Sequence, residues 1–194
     1  MRNLSFSEVL CLGISIFLIG GVAFDIYKVN KNNKDDSKEK MTHSYLDIII
    51  SLLISVVAIC FVFFIGPVHV SGSSMEPNFH DKQWLIQNKS TKNYSVGDVI
   101  VFYYPEEEKY LIKRIIAEGG DTVEVKNLQL FFNGEKIDET YNTIPFDFDF
   151  TPIIVPEGEY FVLGDNRPVS LDSRYDILGT IKPELITGKI ILNK

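Results

Sequence analysis

Ser71, Ser73 and Ser74 fall together in Val70-Ser71-Gly72-Ser73-Ser74-Met75-Glu76-Pro77, where glycine lets the backbone approach closely and proline fixes the chain direction. A serine hydroxyl is a weak nucleophile at neutral pH, so chemistry here requires a base within hydrogen-bond reach. The histidines are poorly placed for that role. His43 precedes a long apolar run, His69 follows it, and His80 sits in an Asn-Phe-His-Asp turn, so each reads as a surface residue. A better base is Lys113, in the strand-like Tyr110-Leu111-Ile112-Lys113-Arg114-Ile115-Ile116. Side chains alternate along a strand, which puts Lys113 on one face with Leu111 and Ile115, and Arg114 on the other with Ile112 and Ile116. An amine between apolar neighbours is desolvated, and desolvation lowers its pKa toward that of a general base. The alternative is a pair of cations snorkelling from an edge strand. A third segment, Gly164-Asp165-Asn166-Arg167-Pro168-Val169-Ser170-Leu171-Asp172-Ser173-Arg174, is dense in hydrogen-bonding groups. Asp172 and Arg174 could pair there and Ser170 could hold a lysine in position, although such a segment alone also fits a solvated loop.

Short strands must carry these groups. Trp84–Gln87, Val99–Tyr104, Tyr110–Ile116, Thr122–Lys126, Leu128–Phe132, Glu159–Leu163 and Lys189–Leu192 are strand-length and rich in β-branched and aromatic residues. Asn133-Gly134 is the strongest hairpin signal in the chain. Gly97-Asp98, Gly119-Gly120-Asp121 and Gly164-Asp165 mark further turns. No sustained helical period or internal repeat occurs between Pro67 and Lys194, so residues 67–194 form a mostly β domain with its own core. The alternating Phe146-Asp147-Phe148-Asp149-Phe150 reads as a half-buried strand, with an interfacial patch against lipid as the other reading.

The N-terminal third has a different pattern. Ile48 to Val70 carries no charge and is almost wholly Ile, Leu, Val and Phe, and Ile48–Ile65 is long enough to span a bilayer before Gly66-Pro67 ends it. The run from Val9 to Phe24 is shorter and also resembles a signal peptide, with Arg2 ahead of an apolar Leu10–Ile19 and a small-residue Gly21-Val22-Ala23. Lys28, Lys31, Lys34, Lys38 and Lys40 lie between the two runs, and the positive-inside rule places them in the cytoplasm. The prediction is therefore a membrane anchor, residues 1–66, with helices at about 9–27 and 47–66, a cytoplasmic loop at about 28–44 and both termini outside. Cys11 and Cys60 lie within the apolar runs and read as packing residues.

Composition agrees with a chain divided between two solvents. Hydrophobic residues make up 45% and charged residues 23%, with a net charge of -7, yet the mean hydropathy is +0.07. Residues 1–66 hold six basic and six acidic side chains, so the whole imbalance belongs to residues 67–194. A pI near 5.0 excludes a nucleic-acid binder. The 14 Phe and 9 Tyr exclude a disordered chain, and two cysteines make neither a disulfide framework nor a zinc site. No metal or cofactor is expected.

Taken in order, the three polar segments resemble the bacterial type I signal peptidases, membrane-bound Ser/Lys proteases that remove signal peptides from exported proteins. Ser74-Met75-Glu76-Pro77 is similar to the nucleophile motif, and Tyr110–Arg114 with Gly120-Asp121 to the motif of the general base. Val155-Pro156-Glu157-Gly158 through Phe161–Arg167, with Ser170, Asp172-Ser173-Arg174 and Gly179, is similar to the C-terminal signature. The resemblance implies an antiparallel β-sheet catalytic domain of signal-peptidase type behind two transmembrane helices. It makes Ser74 the nucleophile and Lys113 the base, with Ser170 orienting the lysine. Asp172 and Arg174 form a supporting ion pair, with Arg114 and Asp165 also in support, and Met75 and Pro77 lie at the substrate. Some members use a hydroxyl two positions before the nucleophile to stabilise the oxyanion; Gly72 stands there, which leaves backbone groups around Gly72 and the Ser74 amide. Pro168-Val169 replaces the polar pair often found after Gly-Asp-Asn-Arg, a change in loop stiffness. The short stretch from Asp121 to Val155 implies that the large inserted β domain of some members is much reduced.

The partners this implies are preproteins with signal peptides and the lipid bilayer, with no nucleic acid. The implied location is the bacterial cytoplasmic membrane, with the catalytic domain outside. Ser74 lies only eight positions beyond Gly66, which limits a fully extended chain to less than ~30 Å and keeps the nucleophile near the membrane surface. Self-cleaving SOS repressors share a related Ser/Lys arrangement but need a DNA-binding domain and a cytosolic location. A conjugation- or pilin-type processing peptidase of the same fold differs only in substrate, and a membrane-anchored β module that binds peptides without cutting them belongs to another class.

Overall fold

Short runs of strand-forming residues recur along the chain from Ile65 onward, and the computed structural model arranges them as β1 (Ile65–His69), β2 (Trp84–Asn88), β3 (Val99–Tyr104), β4 (Lys109–Glu118), β5 (Thr122–Lys126), β6 (Gln129–Phe132), β7 (Glu135–Lys136), β8 (Phe150–Ile154), β9 (Tyr160–Leu163) and β10 (Ile186–Ile190). The described residues are 38–141 and 143–191, with Gly20, Gly21, Ala23, Phe24, Ile26 and Tyr27. Cys11, most of the first apolar run, Lys28, Lys31, Lys34 and Leu192 lie outside them. The chain divides into two units, residues 1–66 and 67–194.

In the first unit, α1 covers Lys38–Phe64. It begins nine residues before the expected position because Lys38-Glu39-Lys40 are good helix formers that extend it. It also stops at Phe64, since Gly66 and Pro67 enter β1 rather than capping the helix. Its Ser55 hydroxyl donates to the Ser51 carbonyl at 2.8 Å, so this buried polar group is satisfied within the helix. Among the described residues no helix is long and apolar enough to cross a membrane.

The second unit is mostly antiparallel β. One sheet has the order β1-β2-β10-β3-β4-β9, the other β7-β6-β5-β8. Asn133 (φ 52°) and Gly134 (φ 82°) are both left-handed, the backbone a tight β6–β7 hairpin needs. Asn127 and Leu128 adopt the same conformation between β5 and β6, so Leu128 belongs to a turn and not to the strand expected from it. The last strand also starts earlier than expected, at Ile186, with a register shift against β3 between Ile186 and Gly188.

β4 is the organising strand. Its pairing with β3 sets Ile100 opposite Lys113 and Val99 opposite Arg114, and its other edge is covered by β9. The expected alternation holds: Ile115 and Leu111 pack with Tyr94, Ile100 and Phe102, whereas Ile112 packs with Val70, Met75 and Val101. A third cluster, including Ile116, Val123, Val125 and Phe161, draws on both sheets. The Phe146–Phe150 stretch is not the strand expected from its alternation. Only Phe150 enters β8, while Phe146 is buried and Asp149 accepts the Asn127 and Leu128 N–H groups at 2.9 and 2.8 Å.

Candidate active site

The serine-rich segment is a closed loop. Val70 N–H donates to Gln83 O and Lys82 N–H to Val70 O, both at 2.9 Å, so the strand pairing at its base fixes both ends. Met75, 0% exposed, and Phe79 plug the loop into the core beside Val70, Val99, Val101 and Ile190. Of the two side chains expected at the substrate, only Pro77 is therefore exposed. Ser71 and Ser73 are exposed and Ser74 is half-buried. Gly72 has φ 91°, a conformation that favours glycine, and its N–H donates to Asp81 Oδ1 at 2.7 Å. That amide is engaged, whereas the Ser74 amide has no acceptor among the described residues.

Lys113 stands on an interior strand, so the edge-strand alternative does not apply. Its side chain is only 3% exposed, and Nζ lies 2.8 Å from Ser74 Oγ and 3.0 Å from Ile112 O. Burial pushes its pKa down from 10.5 to about 8; Asp172 and Asp165 oppose that shift and Lys109 adds to it. Desolvation wins because the nearby carboxylates are already committed to arginines.

Those commitments come from the Gly164–Arg174 loop, which is buried rather than solvated. Arg114 Nε and Nη2 donate to the two Asp165 oxygens at 2.9 and 2.7 Å, and Nη1 to Gly97 O at 2.9 Å. Asn78 Nδ2 also donates to Asp165, at 2.7 Å. Arg174 makes the equivalent two-pronged pair with Asp172 at 2.7 and 3.0 Å, and Asp172 accepts the Gly164 N–H at 3.1 Å. Arg167 pairs with Glu139. Asn166 reaches the serine-rich loop directly, its N–H donating to Ser74 O at 3.0 Å and Nδ2 to Ser73 O at 3.1 Å. Gly164 must be glycine, because a Cβ there would stand 2.5 Å from Ser74 O and 2.2 Å from Ser170 Oγ.

Ser74, Lys113, Arg114, Asp165, Ser170, Asp172 and Arg174 thus converge. Ser170 is 2% exposed, but its hydroxyl has no hydrogen-bond partner among the described residues, so the expected bond to Lys113 is not formed. His69 and His80 are exposed, as expected of surface residues. Sequence reasoning missed Asn78, Glu139, Tyr141 and the bracing role of Asn166. Asn78 lies next to the Ser74–Pro77 motif but 87 positions from the Asp165 it holds, and Glu139 and Tyr141 sit in a segment with no motif, Glu139 28 positions from Arg167; only the Gly-Asp-Asn-Arg run signals Asn166. Among the described residues no cluster of three or more His, Cys, Asp or Glu could hold a metal ion.

A half-exposed hydroxyl against a buried lysine amine with a depressed pKa is the arrangement a Ser/Lys hydrolase requires, on an antiparallel β scaffold. The family model for signal peptidase, peptidase S26, matches residues 42–193, and the chain belongs to that family. It is 36% identical to signal peptidase I T of Bacillus subtilis strain 168 over 174 residues, covering 80% of this chain and 88% of the relative. It is 39% identical over 140 residues to signal peptidase I P of Bacillus subtilis subsp. natto, covering 66% and 74%. The crystal structure of a signal peptidase I from Enterococcus faecalis V583 is 33% identical, with a TM-score of 0.46, covering 53% of this chain and all of that one.

Proposed function

We propose that this protein is a signal peptidase I that cleaves signal peptides from preproteins through Ser74 and Lys113. The observation that carries the reading is the 2.8 Å approach of Nζ to Oγ at an amine held near pKa 8. In its neutral form Lys113 accepts the Ser74 hydroxyl proton as Oγ attacks the scissile carbonyl. The Ser74 amide donates to the oxyanion. Collapse breaks the C–N bond, and Lys113 returns the proton to the departing amine. Lys113 then takes a proton from water, hydroxide attacks the acyl ester, and Ser74 leaves with its proton restored. Asp172–Arg174 and Arg114–Asp165 fix the surrounding backbone, and Pro77 lies on the substrate side. Substituting Ser74→Ala in the detergent-solubilised protein should abolish preprotein cleavage; full processing by that variant contradicts the reading.

The chain is read as anchored in the cytoplasmic membrane by a first helix at about 9–27 and by the uncharged part of α1 that follows Asp47, with residues 67–194 outside. Support comes from the uncharged run after Asp47 and from α1, whose Leu46, Ile49, Ile50, Leu52, Leu53, Ile54, Val56 and Val57 are all exposed.

A further inference from the structure

Arg167 is the largest fully buried side chain among the described residues. Its guanidinium cannot shed its charge, so it must be paired where it stands. The partner is Glu139, from the segment between β7 and β8: Arg167 Nη1 donates to Glu139 Oε2 at 3.0 Å and Nη2 to Oε1. Glu139 also accepts the Tyr141 hydroxyl at 2.8 Å, and the Tyr141 ring lies 3.9 Å from the Arg114 guanidinium. Close by, Ile144 N–H donates to Asp165 O at 2.9 Å, Ile144 O accepts the Arg167 N–H at 3.3 Å, and Phe146 lies 4.4 Å beneath Arg167.

On its far side the same stretch holds the nucleophile. Arg167 Nε donates to Gly164 O at 3.0 Å, Gly164 abuts Ser74 O, and Asn166 bonds Ser73 and Ser74. We propose that Glu139 is a positioning residue for the Ser74–Lys113 pair, acting through Arg167 and the Gly164–Asn166 backbone. The inference rests on the Ser/Lys reading above. The carboxylate sets where the guanidinium sits, the guanidinium sets the backbone, and the backbone sets the reach of Ser74 Oγ to Nζ. Displacement of a reacting group by about 1 Å costs roughly 10²-fold in rate, and it leaves substrate affinity largely untouched when the binding surface is not involved.

The test compares kcat and KM of the full-length, detergent-solubilised protein on a signal-peptide substrate, with thermal melts of the same samples. Glu139→Gln should lower kcat at least about tenfold at nearly constant KM, and Glu139→Asp should restore part of the loss. Val123→Ala, in the core of the other sheet, provides a variant of lowered Tm with kcat retained. A Glu139→Gln protein that melts lower but keeps kcat within about twofold of wild type overturns the proposal, because its role is then structural only. Should Glu139→Gln not fold, Tyr141→Phe keeps the ring under Arg114 and removes only the hydroxyl bond to Glu139. It should lower kcat several-fold at constant KM, and an unchanged kcat overturns the proposal equally. Ser74→Ala, run alongside, separates the two layers: activity retained there overturns the Ser/Lys reading itself.

Discussion

Lys113 makes the protein pay for its chemistry in stability. Its pKa is about 8 when folded against an ordinary value of 10.5, so between those pH values the unfolded chain binds more protons than the folded one. Stability therefore rises with pH across that window. Below it, keeping a cation in this site costs about 3 kcal/mol, the shift expressed as free energy. Lys113→Met, which fills the same volume without charge, should raise Tm at pH 7 while abolishing cleavage, and its advantage should fade as the pH approaches 10. Melts recorded from pH 6 to 10 check this; a variant that melts lower than wild type at pH 7 contradicts it. This much was legible in the sequence, because strand alternation alone set Lys113 between Leu111 and Ile115. The partners of Arg114 and Arg167 were not legible, since pairing across 51 and 28 positions depends on how the sheets pack.

At the level of elements, the interior strand β4 presents Lys113 and Arg114 near its middle, and two loops converge on them. The nucleophile loop is held by Met75 and Phe79, and the Gly164–Arg174 loop by three arginine–carboxylate pairs. Their backbones touch at Gly164. Gly164→Ala would force a methyl group into Ser74 O and Ser170, a strain of about 1–3 kcal/mol in a well-packed site. The expected outcome is a lower Tm with a disproportionate fall in kcat, measured on the same sample; wild-type kcat would mean that this contact does not position the serine. Most strands were readable from β-branched and aromatic runs, and Asn133-Gly134 from its turn chemistry. β1, β7 and β8 were not: β1 continues an apolar run that reads as helix, β7 has two residues, and β8 contains Pro152. Phe146 was misread because alternation with aspartate mimics a strand, whereas its ring serves as a floor for Arg167 and Arg174.

Across the whole molecule, two compositions divide at Gly66. Residues 1–66 carry no net charge, and residues 67–194 carry all of the -7. If the first part is an anchor, the protein should resist alkaline extraction from membranes, and protease added to right-side-out vesicles should degrade the β domain. Release into the soluble fraction on washing contradicts anchoring. On the proposed reading the β domain serves one event, proton transfer between Ser74 and Lys113. The most direct measurement of that event is the pH dependence of kcat/KM for signal-peptide cleavage by the solubilised protein, recorded for wild type and Lys113→Arg. The wild-type rate should rise with pH through a single acid limb centred near pH 8, as Lys113 loses its proton, and the arginine variant should be inactive throughout, because guanidinium stays charged. Processing by Lys113→Arg at a rate near that of wild type would contradict the account.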